Sequence, residues 1–173
     1  MAQAKVKMIV ARKAGLTSTP AYNAPEKTSA TFIVGAPVKN SAGNLVAVST
    51  TNAGTSSLIT YVKKSSTAAA IGISQGKARA SHTSALVVAR FQEGMEFEGN
   101  LVAKSASSAK TSKIGSTVYM GKRKSVDTHW GFTLDTPGAS SASYVQGVIT
   151  GLVDPASTVN GRVIVRMTKG GSI

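Results

Sequence analysis

The sequence predicts an all-β protein, a β-sandwich or small β-barrel built from two similar β units and preceded by an extended N-terminal arm. Three observations predict it. Short β-branched runs separated by turn formers recur from residue 31 onward. Ala, Ser, Thr, Gly and Val dominate a chain with only four Phe, four Tyr and one Trp, which suits short strands and exposed loops better than long amphipathic helices. Glycines and valines also recur in the same order, at similar spacing, in the two halves.

The elements follow in chain order. Residues 1–30 read as an arm. Its KVKMIVARK (5–13) alternates as one strand, with Lys5, Lys7 and Ile9 on one side and Val6, Met8 and Val10 on the other. The following AGLTSTPAYNAPEKTSA (14–30) carries two prolines and many turn formers and reads as extended linker. Residues 31–173 read as a single β domain. Its expected strands are TFIVGAPV, GNLVAVST, SLITYVKK, AAIGIS, SALVVARF, GSTVYMG, HWGFTLD, SYVQGVITGLV and GRVIVRM, with SAGN (41–44) and VNG (159–161) as turns. The best helix candidate is QGKARASHTSALVVARF (75–91), with room for a few turns near its start.

The repeat joins units of about 32–91 and 112–167. Each reads as hydrophobic-Gly-x-x-Val, a strand, a loop, a hydrophobic-Gly-hydrophobic strand, a loop, and a Val-rich strand ending in Arg. Gly35 to Gly72 spans 37 residues and Gly115 to Gly147 spans 32; Gly72 to Arg90 spans 18 and Gly147 to Arg166 spans 19. A glycine inside a strand pattern marks a bulge or a close backbone approach. Matching order and spacing favour two related β units closing one sandwich or barrel.

A length of 173 residues suits one compact domain, or one domain of two similar halves. With no cysteine, disulfides, thiolate metal sites and cysteine catalysis are excluded. The apolar run Met8 to Ala11 is too short for a secretory core, and no stretch approaches the roughly 20 apolar residues that span a bilayer, so a soluble protein used inside a cell is expected. The net charge is +13. Residues 1–90 hold eleven basic residues and one acid, Glu26; residues 91–173 hold nine basic residues and six acids. Such a field favours an acidic partner, whether nucleic acid, an anionic membrane or an acidic protein surface.

GISQG (72–76) matches the Gly-x-Ser-x-Gly pattern of a nucleophile elbow, with Ser74 as the candidate nucleophile. That elbow needs a buried parallel strand before it and a long helix after it, and KARASHTSALVV is a poor helix. The later histidines are His82 and His129, and Asp127 is only two residues from His129, which disfavours a long-range triad. In the repeat, IGIS corresponds to QGVI, so Ser74 is read as an ordinary strand or turn residue. The two histidines have no partners at ligand spacing, and Asp127–His129 is read as a loop with a neutral surface histidine. Glu93, Glu96 and Glu98 lack the alternating oxygen ligands of a calcium loop and are read as a solvated acidic edge. No phosphate-binding loop is present. No enzymatic activity and no cofactor or metal are expected.

GKRKS (121–125), between STVYM and HWGF, reads as a hairpin tip that presents Lys122, Arg123 and Lys124. With Lys5, Lys7, Arg12 and Lys13 of the arm, these are the candidate partner-binding residues. Nucleic-acid binding through this surface is possible, but the aromatics are too scattered for a stacking platform and no familiar module is visible. The same charge suits docking on an acidic protein lattice. An extended arm with a strand-like tip can pair with a neighbour's sheet edge, and many copies on a repeating surface sum modest contacts.

VGAPVKNSAGNLVAV, AIGIS, IGSTVYMG, YVQGVITG and NGRVIVRM, within residues 34–167, resemble segments of the small head decoration (cement) proteins of tailed bacteriophages. The resemblance implies a non-enzymatic, β-rich virion protein, made in the host cytoplasm. Such a protein forms a homo-oligomer, a trimer being favoured, binds the outer capsid surface, and bridges major capsid subunits against the pressure of packaged DNA. The strong positive charge departs from that pattern. Another structural virion component (a tail-tube, fibre or coat subunit) and a basic nucleic-acid-binding protein are the alternatives.

Overall fold

A computed structural model describes residues 7, 9–12, 21–28, 30–48, 50–52, 58–62, 72–79, 85–103, 114–124, 127–138 and 143–169. It is all-β. The strands are β1 (Val10–Arg12), β2 (Ala21–Pro25), β3 (Pro37–Ser41), β4 (Asn44–Ala47), β5 (Thr50–Asn52), β6 (Ile59–Val62) and β7 (Gly72–Ser74). They continue with β8 (Ala85–Arg90), β9 (Glu96–Val102), β10 (Thr117–Arg123), β11 (Gly131–Thr133), β12 (Gln146–Leu152) and β13 (Arg162–Lys169).

The strands form two sheets, and each curls on itself in the same way. In the five-stranded sheet the order is β2-β8-β7-β3-β4, and a parallel bridge between Glu26 and Leu45 brings its two edges together. In the larger sheet the succession β9-β13-β12-β10 is continued by β11, which pairs antiparallel with β10 and parallel with β9. In both rings the first strand in sequence meets the fifth antiparallel and the third in parallel. Three strands extend the larger ring: β1 adds to β9, β6 to β10 and β5 to β6. Since β5 and β6 precede β7 in sequence, they carry the first half of the chain onto the second.

Glycine chemistry accounts for the matching spacing. Gly35 (φ 79°), Gly94 (φ 84°) and Gly115 (φ 85°) each turn the chain into β3, β9 and β10 respectively. The Ala36 N–H donates to Ile33 O, and Met95 to Gln92, both at 3.1 Å, with the glycine at the third turn position; this is a type II turn, which needs positive φ there. Each glycine N–H then reaches a strand carbonyl: Gly35 to Ser74, Gly115 to Ile149, Gly94 to Met167. The same strand residues donate back, Ser74 to Ala36, Ile149 to Ser116 and Met167 to Met95. Farther along, Val38 faces Gly72 and Val118 faces Gly147. A Cβ on Gly72 would lie 2.1 Å from Ala89 O, and one on Gly147 would lie 2.6 Å from Arg166 O. Ala89 and Arg166 are therefore equivalent, and Arg90 corresponds to Met167, which is the residue opposite Gly147. The expected match of Arg90 with Arg166 is off by one.

Other expectations also shift. TFIVGAPV is not one strand: residues 34 and 35 form the turn and β3 begins at Pro37. No helix occupies the described part of 75–91, which runs irregularly to residue 79 and ends in β8. The expected linker contains β2, fully paired with β8 from Ala21↔Ala89 to Pro25↔Ala85. Among the described residues of KVKMIVARK the strand covers Val10–Arg12, and Ile9 is 2% exposed while Val10 is 39% exposed. Of the expected acidic edge, Glu93 is exposed in the turn before β9, whereas Glu96 and Glu98 belong to β9, a strand inside the larger sheet. Its alternation sends Phe97, Gly99 and Leu101 inward and leaves Glu96 and Glu98 half-buried on the other face. The SAGN turn is present, with Ala42 and Gly43 both at positive φ, as a two-residue hairpin of type I′ requires.

Phe97, Leu101, Val118, Met120, Phe132, Ile149, Val163, Val165 and Met167 of the larger sheet join Val38, Leu45, Ile73 and Val88 of the smaller one in a single continuous core. Burying each such side chain is worth roughly 1.5–3 kcal/mol. A second cluster, Ile59, Tyr61, Tyr119 and Tyr144, seals β6 onto β10. There the Tyr61 and Tyr144 rings meet edge to face with centroids 5.7 Å apart.

Candidate functional site

Ser74 is the last residue of β7, which runs antiparallel to both β3 and β8. The residue is fully buried, its hydroxyl donates to Gly76 O, and Gly76 N–H donates back to Oγ at 3.2 Å. This hydroxyl closes a local turn. The strand-to-helix elbow that exposes a nucleophile is not formed. His82 lies outside the described residues. His129 is half-buried, and Asp127 is engaged by Arg123. Among the described residues no three His, Asp or Glu side chains come together in a way that suits a metal ion, and no helix is long and apolar enough to cross a membrane.

The basic segment 122–124 is built differently from a free hairpin tip. β10 runs through Arg123, and Lys122 and Arg123 sit opposite Thr60 and Ile59 of β6. Two of the segment's three cations are held by the chain around them. Asp127, four residues on, accepts from Arg123 Nη2 at 2.7 Å, Nε at 3.0 Å and the backbone N–H at 3.0 Å. This hydrogen bonding to Asp127 raises the Arg123 pKa further above its ordinary value. The Lys122 ammonium stands 5.3 Å above the centre of the Trp130 ring, a cation–π contact. Lys124 alone of the three is exposed.

Beside Lys122 lies a cleft of about 350 Å³, where the lead-in to β3 and the end of β4 meet the loop between β10 and β11. Its walls are Phe32, Ile33, Ala36, Pro37, Ala47 and Val48 from the smaller sheet's side, and Lys122, Thr128 and Trp130 from the larger, with Thr31 at the margin. Lys122 is the one charged residue among them. Clefts between packed units, mostly apolar with a few polar groups, are where ligands bind most often. Nothing in the sequence pattern pointed to Phe32 or Pro37, since the cleft joins residues almost a hundred positions apart. The closeness of GKRKS to the single tryptophan was the available clue.

Of the other expected contact residues, Lys7 and Arg12 are exposed at the edge of the larger sheet. Arg12 is opposite Glu96 in the β1–β9 ladder, and the Lys7 backbone N–H donates to Asn100 Oδ1 at 2.9 Å. Lys5 and Lys13 lie outside the described residues. β1 adds to the outside of β9, and β10 is reached from β9 through β11 or through β13 and β12, so the two basic groups lie on different strands of the sheet.

Most of the acids are engaged by groups of the same chain. Glu26 is 4% exposed and takes the Arg79 N–H on both carboxylate oxygens at 2.8 Å. Glu96 pairs with Arg166, Glu98 with Arg162 and Asp127 with Arg123, while Asp154 accepts the Arg162 N–H at 2.7 Å. Asp135 lies next to the Tyr61 hydroxyl, which donates to its backbone carbonyl at 3.1 Å. Glu93 is exposed. Lys7, Arg12, Lys27, Lys77, Arg79 and Lys124 are exposed bases.

No family model, curated protein or solved structure matches the chain.

Proposed function

We propose that the protein is a structural virion component that docks on an acidic protein lattice, in the manner of the capsid decoration proteins its glycine–valine segments resemble. It carries no reaction in this reading. The observation that carries the reading is the sorting of charge. Five carboxylates bond to bases or backbone N–H groups of the same chain, while exposed bases from both halves of the chain face outward. A surface of nearly one sign recruits partners of the other sign and accelerates their encounter.

The test is reconstitution. Purified protein is mixed with purified phage heads that lack it, at physiological salt, and the heads are sedimented. Saturable binding with a fixed copy number and raised heat resistance of the heads is expected. Absence of head binding, together with DNA binding that persists at that salt, overturns the proposal in favour of nucleic acid, because purely electrostatic affinity for DNA falls steeply with salt. Self-assembly of the protein into tubes or shells favours a tail or coat subunit instead. Deleting residues 1–6 removes Lys5 and keeps Ile9 and β1 in place. That deletion is expected to weaken head binding, and unchanged binding removes the extreme N-terminus from the contact.

A further inference from the structure

We infer that the cleft beside Lys122 is a recognition pocket for a short acidic-apolar segment of a protein partner. In it, one apolar or aromatic side chain inserts between Phe32, Pro37, Val48 and Trp130, and a neighbouring carboxylate pairs with the Lys122 ammonium. The inference rests on the lattice-docking reading and names the part of the surface that reads the partner.

Three features of the cleft define the occupant. Its volume of about 350 Å³ accommodates one large side chain and the backbone atoms beside it. Phe32, Val48 and Trp130 are each 7% exposed, so its walls are fixed core residues that need no rearrangement to receive a ligand. Lys122 is half-buried, and among the described residues it has no carboxylate partner; its ammonium is held over the Trp130 ring. Three neighbouring cations of the larger sheet, Arg123, Arg162 and Arg166, each have an acid within the chain. The Lys122 charge is therefore left for a group from outside, and that group must be anionic. A carboxylate entering beside apolar walls meets the ammonium in a partly dry setting, where the attraction exceeds that of an exposed pair. The exposed Lys124, two residues on in the chain, adds a second positive charge and favours a run of acidic residues over one. A nucleic acid fits the cleft less well, because Lys122 supplies only one phosphate contact there and Trp130 already carries the lysine on its ring.

Trp130 is the chain's only tryptophan, so its fluorescence reports on this cleft alone. The wild-type protein is titrated with N-acetylated, C-amidated dipeptides Phe-Asp, Phe-Asn and Ala-Asp. Phe-Asp is expected to change the emission saturably, Phe-Asn to bind roughly tenfold more weakly, and Ala-Asp to be weaker still. Lys122→Gln should bring Phe-Asp down to the level of Phe-Asn and leave Phe-Asn unchanged. Thr31→Phe, at an exposed position on the margin, should fill the cleft and abolish all three responses in a protein whose β-sheet circular dichroism is unaltered. No saturable response to Phe-Asp up to about 10 mM overturns the inference, as does a Lys122→Gln protein that still prefers Phe-Asp. The same two variants are then tested on heads. Wild-type binding to heads that both variants retain in full removes the cleft from the docking and leaves the lattice reading standing. A dipeptide response that depends on Lys122 without any head binding removes the lattice reading and leaves the pocket.

Discussion

Replacing Gly72 by alanine tests the packing of the first ring at its tightest point. A Cβ there would stand 2.1 Å from the Ala89 carbonyl oxygen, 2.8 Å from its carbon and 2.7 Å from Val88 Cγ1. Ordinary carbon–oxygen contacts are about 3.3 Å or longer, so β7 and β8 have to separate by roughly 1 Å. The obstacle is backbone, which has no rotamer to escape into. Overpacking a core costs about 1–3 kcal/mol, and each ladder hydrogen bond loosened adds about 1 kcal/mol. A total of about 3–5 kcal/mol follows, and at about 2–4 °C per kcal/mol for a chain of this size the midpoint should fall by roughly 6–20 °C. Gly76→Ala is the control. Its Cβ would meet only the Leu86 side chain, Cδ2 at 2.8 Å and Cγ at 3.9 Å. A rotamer shift of half-buried Leu86 costs about 0.5–1.5 kcal/mol, and the stiffer unfolded chain returns about 0.4–1 kcal/mol. Thermal unfolding followed by circular dichroism gives both midpoints. A Gly72→Ala protein that melts within about 3 °C of wild type, or a Gly76→Ala protein that falls as far as Gly72→Ala, refutes the reasoning.

Three further outcomes are expected. Burial, followed by the nearby Asp135, Tyr144 and Tyr119, pushes the Tyr61 pKa up from 10.0 to about 12; a raised folded-state pKa means stability that is full below about pH 10 and lost as pH rises through 12. Denaturant titrations should show about 3 kcal/mol lost across that window, beyond the loss in Tyr61→Phe, and identical pH slopes in the two proteins rule this out. Asp127→Asn removes the charge that holds Arg123, its side chain being 4% exposed, so stability should drop by about 1–3 kcal/mol in urea, with Arg123→Gln in the same background adding little. Asn160 is buried, both its side-chain polar atoms lack a hydrogen-bond partner among the described residues, and its φ is 53°; Asn160→Gly removes the orphaned amide and relaxes the backbone, so urea unfolding should show unchanged or higher stability, by up to about 1 kcal/mol.

Much of the architecture was legible from periodicity. The all-β class, the SAGN hairpin, β8, β10, β11, β12 and β13 stand in the sequence as β-branched runs between turns, and the paired glycines mark equivalent bonds. Hidden from it was the same strand of each ring, β2 and β9. β2 looks like linker because Pro25 and its polar neighbours weaken any strand pattern, and Pro25 is tolerated at that strand's end. β9 looks like an acidic surface because Glu96 and Glu98 outweigh the alternation of Phe97, Gly99 and Leu101. The third turn glycine, Gly94, escaped for the same reason: its neighbours are glutamates, with none of the apolar run that flanks Gly35 and Gly115.

The candidate site was legible only in part. GKRKS was visible as a basic cluster, yet its three charges have three fates. Asp127 binds Arg123, Trp130 carries Lys122, and Lys124 is left in solvent. Such outcomes depend on which side of β10 each residue occupies and on what the next loop folds back against it.

By itself the sequence determined the local chemistry: where the chain must turn through positive φ, which stretches prefer extended backbone, and that the net charge is strongly positive. These follow from individual residues and their near neighbours. Only the tertiary structure decided that each sheet closes on itself, that nearly all the carboxylates are held within the chain, and that Phe32 and Trp130 share a cleft with Lys122. Those results depend on pairings between residues far apart in the chain, and strand-to-strand register is a property of the assembled sheet that no short window of sequence contains.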